Sequence, residues 1–283
     1  MLQSVKIILC DQVQAARTLL DNSKPISDSN VHAARKHLKS ARAGLRLLRG
    51  TVGERHYSIE NTRLRDAARP LSNVRDTKVL IETAVVLLKT EKNHHHRARL
   101  LDLVRLLRRE RNKLRSELLP GRQTLQSARA TLAKSKRAIS RWSLDGPSIA
   151  LSTDVERLYR KSRNAMRLAR KELTDDALHE ARKQVKYFAN AMEMLQGSGA
   201  QNVIKLINCA KAISDKLGAD HDLALIQFRL MTSPNSQPRI SKDLSTQIQQ
   251  RRLVLQGKAF RGGKRLHKAT ARVFVKHLSV FIS

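Results

Sequence analysis

The chain's 283 residues carry 56 Lys and Arg against 24 Asp and Glu, a formal charge of +32, while 41% are hydrophobic and only 3% aromatic. That is apolar material enough for a core in one large or two ordinary domains, which excludes a disordered basic tail. Aliphatic runs such as Ile7-Ile8-Leu9-Cys10 and Val85-Val86-Leu87-Leu88 fall far short of the ~20 residues that cross a bilayer, and Met1–Lys6 opens no secretory signal, so no membrane insertion and a cytoplasmic location are expected.

Leu, Ala, Arg and Lys recur at three- and four-residue spacings and Pro and Gly are scarce, so the chain reads as all-α. In chain order, a first helix over 5–20 stops at Asp21–Pro25, and a second over 29–49 starts behind the capping pair Ser27-Asp28 and stops at Gly50–Gly53. Helices over 58–90, 96–118 and 122–141 follow, broken at Glu91–Asn93, Leu119–Gly121 and Asp145–Pro147. A helix over 149–172 leads to one over 175–196 behind Thr174, then 200–231, 240–259 and 264–281, with breaks at Gly197–Gly199, Ser233–Pro238 and Arg261–Gly263. Cys10 and Cys209 supply neither a disulfide framework nor a zinc site and are expected as buried, inert thiols.

Two of these elements repeat each other. His32-Ala33-Ala34-Arg35-Lys36 returns 147 residues later as His179-Glu180-Ala181-Arg182-Lys183, and Lys39 returns as Lys186. Arg75-Asp76 has a counterpart in His221-Asp222. The repeat divides the chain into 1–145 and 146–283, with similar charge in each half, so both halves are expected to touch one ligand.

At 100° per residue, His32, Arg35, Lys36, Lys39, Arg42 and Arg46 share a stripe about 120° wide, opposite Val31, Ala34, Leu38, Ala41, Leu45 and Leu48. From His32 to Arg46 this stripe is roughly 21 Å long, enough to follow several phosphates of an extended chain. A basic helix face is ordinarily solvated surface with mixed signs. This one has no acid between Asp28 and Glu54 and its core recurs in His179, Arg182, Lys183 and Lys186, which turns the reading toward anion binding. A phosphate docked there is expected to charge His32 and His179. Further candidate liners are Arg160, Arg163 and Arg167, Arg108, and Arg65, Arg69, Lys205 and Lys211, whereas Asp76 and Asp222 are expected in structural ion pairs.

The stretch His32-x-x-Arg35-Lys36-x-x-Lys39-x-x-Arg42-x-x-x-Arg46 and its echo His179-x-x-Arg182-Lys183-x-x-Lys186 resemble the signature helix of the CHAD family, the conserved-histidine α-helical domain. Arg75-Asp76 and His221-Asp222 resemble that family's second motif, and the resemblance extends over nearly the whole chain. It implies two four-helix bundles related by pseudo-two-fold symmetry, a central basic groove that binds inorganic polyphosphate, and association with polyphosphate granules. The second half departs from the first: Ala189 and Glu193 stand where Arg42 and Arg46 stand, and His221 replaces an arginine.

Catalytic signatures are missing. There is no G-x-x-x-x-G-K-[ST] loop, no G-x-G-x-x-G, and no E-x-E-x-K motif of the triphosphate-tunnel domains that accompany CHAD domains. No enzyme activity and no cofactor are expected. Consecutive His94, His95 and His96 diverge by about 100° on a helix and cannot share one ion, so no metal is expected either. The main rival is a nucleic-acid-binding protein using the same charge on a phosphodiester backbone, but Trp142, Tyr57 and Tyr159 are too scattered to form a stacking platform. A polyphosphate hydrolase or kinase would need a metal or an activating carboxylate in the groove.

Overall fold

Strong helix formers fill the chain, and in this computed structural model every regular element among the described residues, 1–21, 27–118, 122–144, 149–196, 201–232 and 238–282, is an α-helix. They are α1 (Leu2–Leu19), α2 (Asp28–Leu47), α3 (Arg49–Ala68), α4 (Pro70–Thr90), α5 (His94–Leu118), α6 (Arg122–Ser140), α7 (Ile149–Glu172), α8 (Asp175–Met194), α9 (Gln201–Thr232), α10 (Pro238–Leu266) and α11 (Ala271–Ile282). No helix among the described residues is long and apolar enough to cross a membrane. Most of the expected turns at Asp21–Pro25 and Ser233–Pro238, those at Leu119–Gly121, Asp145–Pro147 and Gly197–Gly199, and the repeat boundary at 145/146 lie outside the described residues.

Three expected boundaries differ. The helix expected over 58–90 is two, because Pro70 lacks an N–H and fits the first turn of a new helix rather than the middle of an old one. The break expected at Gly50–Gly53 shrinks to a kink: α3 starts at Arg49 and bends at Gly53, whose φ of 82° only glycine adopts cheaply. The break expected at Arg261–Gly263 is absent. There α10 runs on to Leu266, since Gly262 and Gly263 serve close packing: a Cβ would lie 2.8 Å from Ile213 in the first case and 2.7 Å from Met166 in the second.

Two apolar clusters hold the helices, and each draws on both ends of the chain. The larger joins α1, α2, α3, α6, α7, α8 and α11 to parts of α9 and α10, with Leu9, Leu38, Leu132, Tyr159, Phe188 and Ile213 fully or almost fully buried. Tyr159 stacks on Phe274 at 4.2 Å between centroids and donates its hydroxyl to the Ala269 carbonyl at 3.0 Å. The smaller cluster is built by α4 and α5 against α9 and α10, through Leu87, Leu100, Leu107, Ile226, Leu230 and Ile248. Where the clusters meet, α2 packs on α8, α4 on α9, α2 on α4 and α8 on α9, closing a ring of four helices.

Candidate anion-binding site

The ring is aimed by its helix starts. Ser27 Oγ accepts the Asn30 N–H at 3.1 Å and Thr174 Oγ1 the Ala177 N–H at 3.2 Å, each satisfying an orphan donor of the first turn. Burial of Val31, Ala34, Leu38 and Ala41 turns His32, Arg35, Lys36 and Lys39 away from the core of α2, and burial of Leu178, Ala181 and Val185 does the same for His179, Arg182, Lys183 and Lys186 on α8. First-turn acids anchor both helices to the neighbouring hairpins. Asp28 takes Arg111 and, at 2.5 Å, Arg115 from α5, while Asp175 takes Arg252 from α10, which also binds the buried Asp220 at 3.0 Å. On α5 Arg111 and Arg115 continue the line of Arg108 at spacings of three and four. In the fold they are anchors.

Between α2 and α8 the two stripes come together, and α4 and α9 add the second pair of motifs. Arg35 Nη2 bonds Asp76 Oδ1 at 3.2 Å, which is the ion pair expected of that aspartate, and Arg75 Nε donates to His32 Nδ1 at 3.2 Å. The His179 and His221 rings lie 4.6 Å apart. Arg182 closes over Gly218, where a Cβ would sit 3.2 Å from its Nε. Asp222 is half-buried and forms no ion pair among the described residues; desolvation raises its pKa despite Arg182 and Arg75 nearby.

Four buried nitrogens here have no hydrogen-bond partner among the described residues: Arg35 Nη1, Arg75 Nη1, Arg182 Nε and His179 Nδ1. Buried polar groups are nearly always paired, and leaving one of a charged group unpaired costs more than an ordinary hydrogen bond is worth. The potential is correspondingly positive. Solvent still reaches part of Lys39, yet crowding by protein atoms first, then the charges of Lys186, Arg35 and Arg182, bring its pKa to about 7, with Asp76 opposing. Burial and then Arg182 lower Lys186. His32, His179 and His221 are also lowered, by burial first and then by Arg75, His221 and Arg182 respectively. Beside the cluster opens a cavity of about 700 Å³ lined by Arg182, Lys186, Asp215, Asp222 and Arg251 with Val79, Val86 and Leu223.

Over residues 10–230 the sequence matches the CHAD domain. The chain belongs to the CHAD family. The crystal structure of the CHAD domain from the plant Ricinus communis is similar in fold, with a TM-score of 0.63 and 17% sequence identity over 96% of this chain and 93% of that one. No curated protein matches the sequence. The family match ends before α10 and α11.

The remaining candidates in this CHAD domain stand elsewhere or are engaged. Lys36 is exposed at the edge of the cluster, and Lys183 pairs with Glu180 at 2.6 Å. Arg42 donates to Asn61 Oδ1 at 2.9 Å. Arg46 is buried, with its guanidinium 3.7 Å over the Tyr187 ring and Nη1 bonded to the Arg42 carbonyl, so it ties α2 to α8. Arg65 and Arg69 both bond Asp66, at 3.1 and 2.9 Å, and Lys211 pairs with Glu193. Arg160 meets Glu156 at 3.5 Å and Arg108 is exposed on α5. Arg163 and Arg167 face α10, and Lys205 lies between α9 and α10.

Arg75 and His221 are cluster members missing from the sequence-derived candidates, although their recurrence marks them. Among the described residues no three or more His, Cys, Asp or Glu gather where they could hold a metal. His96 is buried 3.5 Å from Glu91 while His94 and His95 stay exposed. Both thiols are free and half-buried rather than buried, and burial raises the pKa of Cys10.

Proposed function

We propose that this CHAD domain binds inorganic polyphosphate, without hydrolysing it, in the basic groove between α2 and α8. The observation that carries the reading is the group of buried, unpartnered nitrogens on Arg35, Arg75, Arg182 and His179, aligned with two lysines whose ammonium groups are held in mutual repulsion. Phosphate oxygens supply what these groups lack, acceptors and negative charge together, and arginine forks clamp such oxygens in pairs. A polymer suits the geometry because the cations come from four helices, α2, α4, α8 and α9, and so offer more contacts than one phosphate can take up.

The reading includes the internal repeat, with 1–145 and 146–283 as two four-helix bundles related by pseudo-two-fold symmetry. Its support is the matching order of packing, α1 on α2 and α6 in one half, α7 on α8 and α11 in the other, with the hairpins α4–α5 and α9–α10 in corresponding places. A cytoplasmic protein of this kind would gather on polyphosphate granules. Titrating long-chain polyphosphate against duplex DNA at one salt concentration, with phosphate release followed in magnesium and manganese, tests the proposal. Preferential polyphosphate binding without release is expected. Tighter binding of DNA at equal phosphate would move the function to nucleic acid, and turnover that survives repurification would make the protein an enzyme.

A further inference from the structure

Away from the cluster, an unbalanced charge stands on α10. No Asp or Glu follows Asp243 in the sequence. The C-terminal half of α10 exposes Lys258, Arg261, Lys264 and Arg265, with Lys268 just beyond. This stretch lies outside the residues that match the family. Gly262 and Gly263 let the helix settle against α9 on one side and α7 on the other, and each approach leaves a hollow with cationic walls. Toward α9 the hollow measures about 480 Å³, with Lys205, Lys216, Lys258 and Arg265 around a floor that includes Cys209 and Ile213. Toward α7 it measures about 330 Å³, with Arg163, Arg167, Arg170, Lys264 and Lys268 over Met166 and Phe260. Among the described residues no carboxylate lines either hollow.

An ordinary solvated surface intersperses the two signs, so nine cations in two adjoining concavities without one acid raise the local concentration of any polyanion. We propose that this α7–α9–α10 surface is a second docking site for a linear phosphate polymer, distinct from the groove between α2 and α8. The polymer's identity rests on the reading given under Proposed function. Hollows of a few hundred Å³ suit a thin strand better than a duplex, and among their lining residues the half-buried Phe260 stands with only the buried His267 for company, too few rings to stack successive bases. With two sites, one molecule holds two chains, or two stretches of one chain, and cross-links the polymer instead of merely coating it.

Cys209 reports on the site from its floor. The experiment alkylates the full-length protein with iodoacetamide with and without saturating long-chain polyphosphate, resolving Cys209 from Cys10 on α1 by mass spectrometry. Polyphosphate should slow Cys209 at least about fivefold and leave Cys10 unchanged, both in the parent and in the quadruple variant Arg35→Ala, Lys39→Ala, Arg182→Ala, Lys186→Ala. Replacing exposed Lys258, Arg261, Lys264 and Arg265 by Gln should abolish the protection and the turbidity of cross-linked polymer while retaining binding between α2 and α8. An unchanged Cys209 rate in parent protein saturated with polymer overturns the proposal, as does loss of all binding in the quadruple variant. Equal protection by duplex DNA at the same phosphate concentration overturns the choice of a linear phosphate polymer. Failure of the α2–α8 reading looks different: the quadruple variant then binds as tightly as the parent, with Cys209 still protected.

Discussion

Replacing Lys39 by Arg isolates one protonation event from everything else in the groove. In the unliganded protein burial, reinforced by Lys186, Arg35 and Arg182, holds the Lys39 pKa at about 7. A phosphate chain seated between α2 and α8 reverses the sign of that surrounding charge and returns the amine toward the ~10.4 of a free lysine. At pH 8 the free protein is protonated at Lys39 about one time in ten, so binding draws roughly 0.9 proton from solution, against roughly 0.1 at pH 6. Affinity therefore falls as pH rises through 7, by up to about tenfold between pH 6 and 8 and less to the extent that solvent around the exposed part of Lys39 screens its neighbours, and levels off near the bound-state pKa. Lys186, also lowered, adds to the slope in the same sense. Arginine stays charged throughout, so Lys39→Arg should bind polyphosphate while losing most of the uptake at pH 8. Calorimetry at constant salt in two buffers of unlike ionisation enthalpy counts the protons. Uptake by the parent below about 0.2 proton at pH 8, or equal uptake by Lys39→Arg, would refute the reasoning.

Three further outcomes are expected. Arg46→Ala should lower stability by about 2 kcal/mol, because a desolvated cation–π contact and its stem packing are lost, with affinity changed less than about twofold; Arg35→Ala should do the reverse, weakening binding by about 1.5–3 kcal/mol with little change in melting. Gly262→Ala should destabilise by about 1–3 kcal/mol, since its methyl meets the branched Ile213, whereas Gly263→Ala meets only the end of flexible Met166 and gains helix propensity, so its melting temperature should be unchanged or higher; equal losses would show that the two contacts are alike. Polyphosphate at about a hundred times its dissociation constant should stabilise the protein by about 2.7 kcal/mol, several degrees in melting. Added salt should stabilise the free protein and weaken binding, closing the gap, and no polyphosphate effect at low salt would argue against a shared groove.

Much of the site was legible because helix periodicity is local. The faces of α2 and α8 follow from spacing alone, and their pairing from a repeat at one offset. What periodicity lacks is where along its axis a helix is crossed. Arg46 lies in the middle of the basic stripe on a helical wheel, yet it is covered, because Tyr187 of α8 arrives at that level of α2. For the same reason Arg111 and Arg115 could not be told from open surface until Asp28 was seen to reach them. Glycine was ambiguous in kind: Gly53 bends its helix, while Gly262 and Gly263 admit neighbours and leave theirs straight through. Pro70, missed as a boundary, carried the clearer signal, since its ring suits a first turn and disrupts an interior one.

The smaller apolar cluster has a consequence during synthesis. Leu100 and Leu107 on α5 share their cluster with Leu223, Ile226 and Leu230 of α9 and with Leu244 and Ile248 of α10, and part of their burial waits for these. At about 5–20 residues per second, the chain between Leu107 and Leu223 takes roughly 6–25 s to translate, and the hairpin α4–α5 must wait that long with its leucine face uncovered. Its cover comes from the other end of the polypeptide, so a fragment ending at residue 145 would leave the ribosome with that face permanently open, and the nascent protein depends on restraint from aggregation until α9 and α10 emerge.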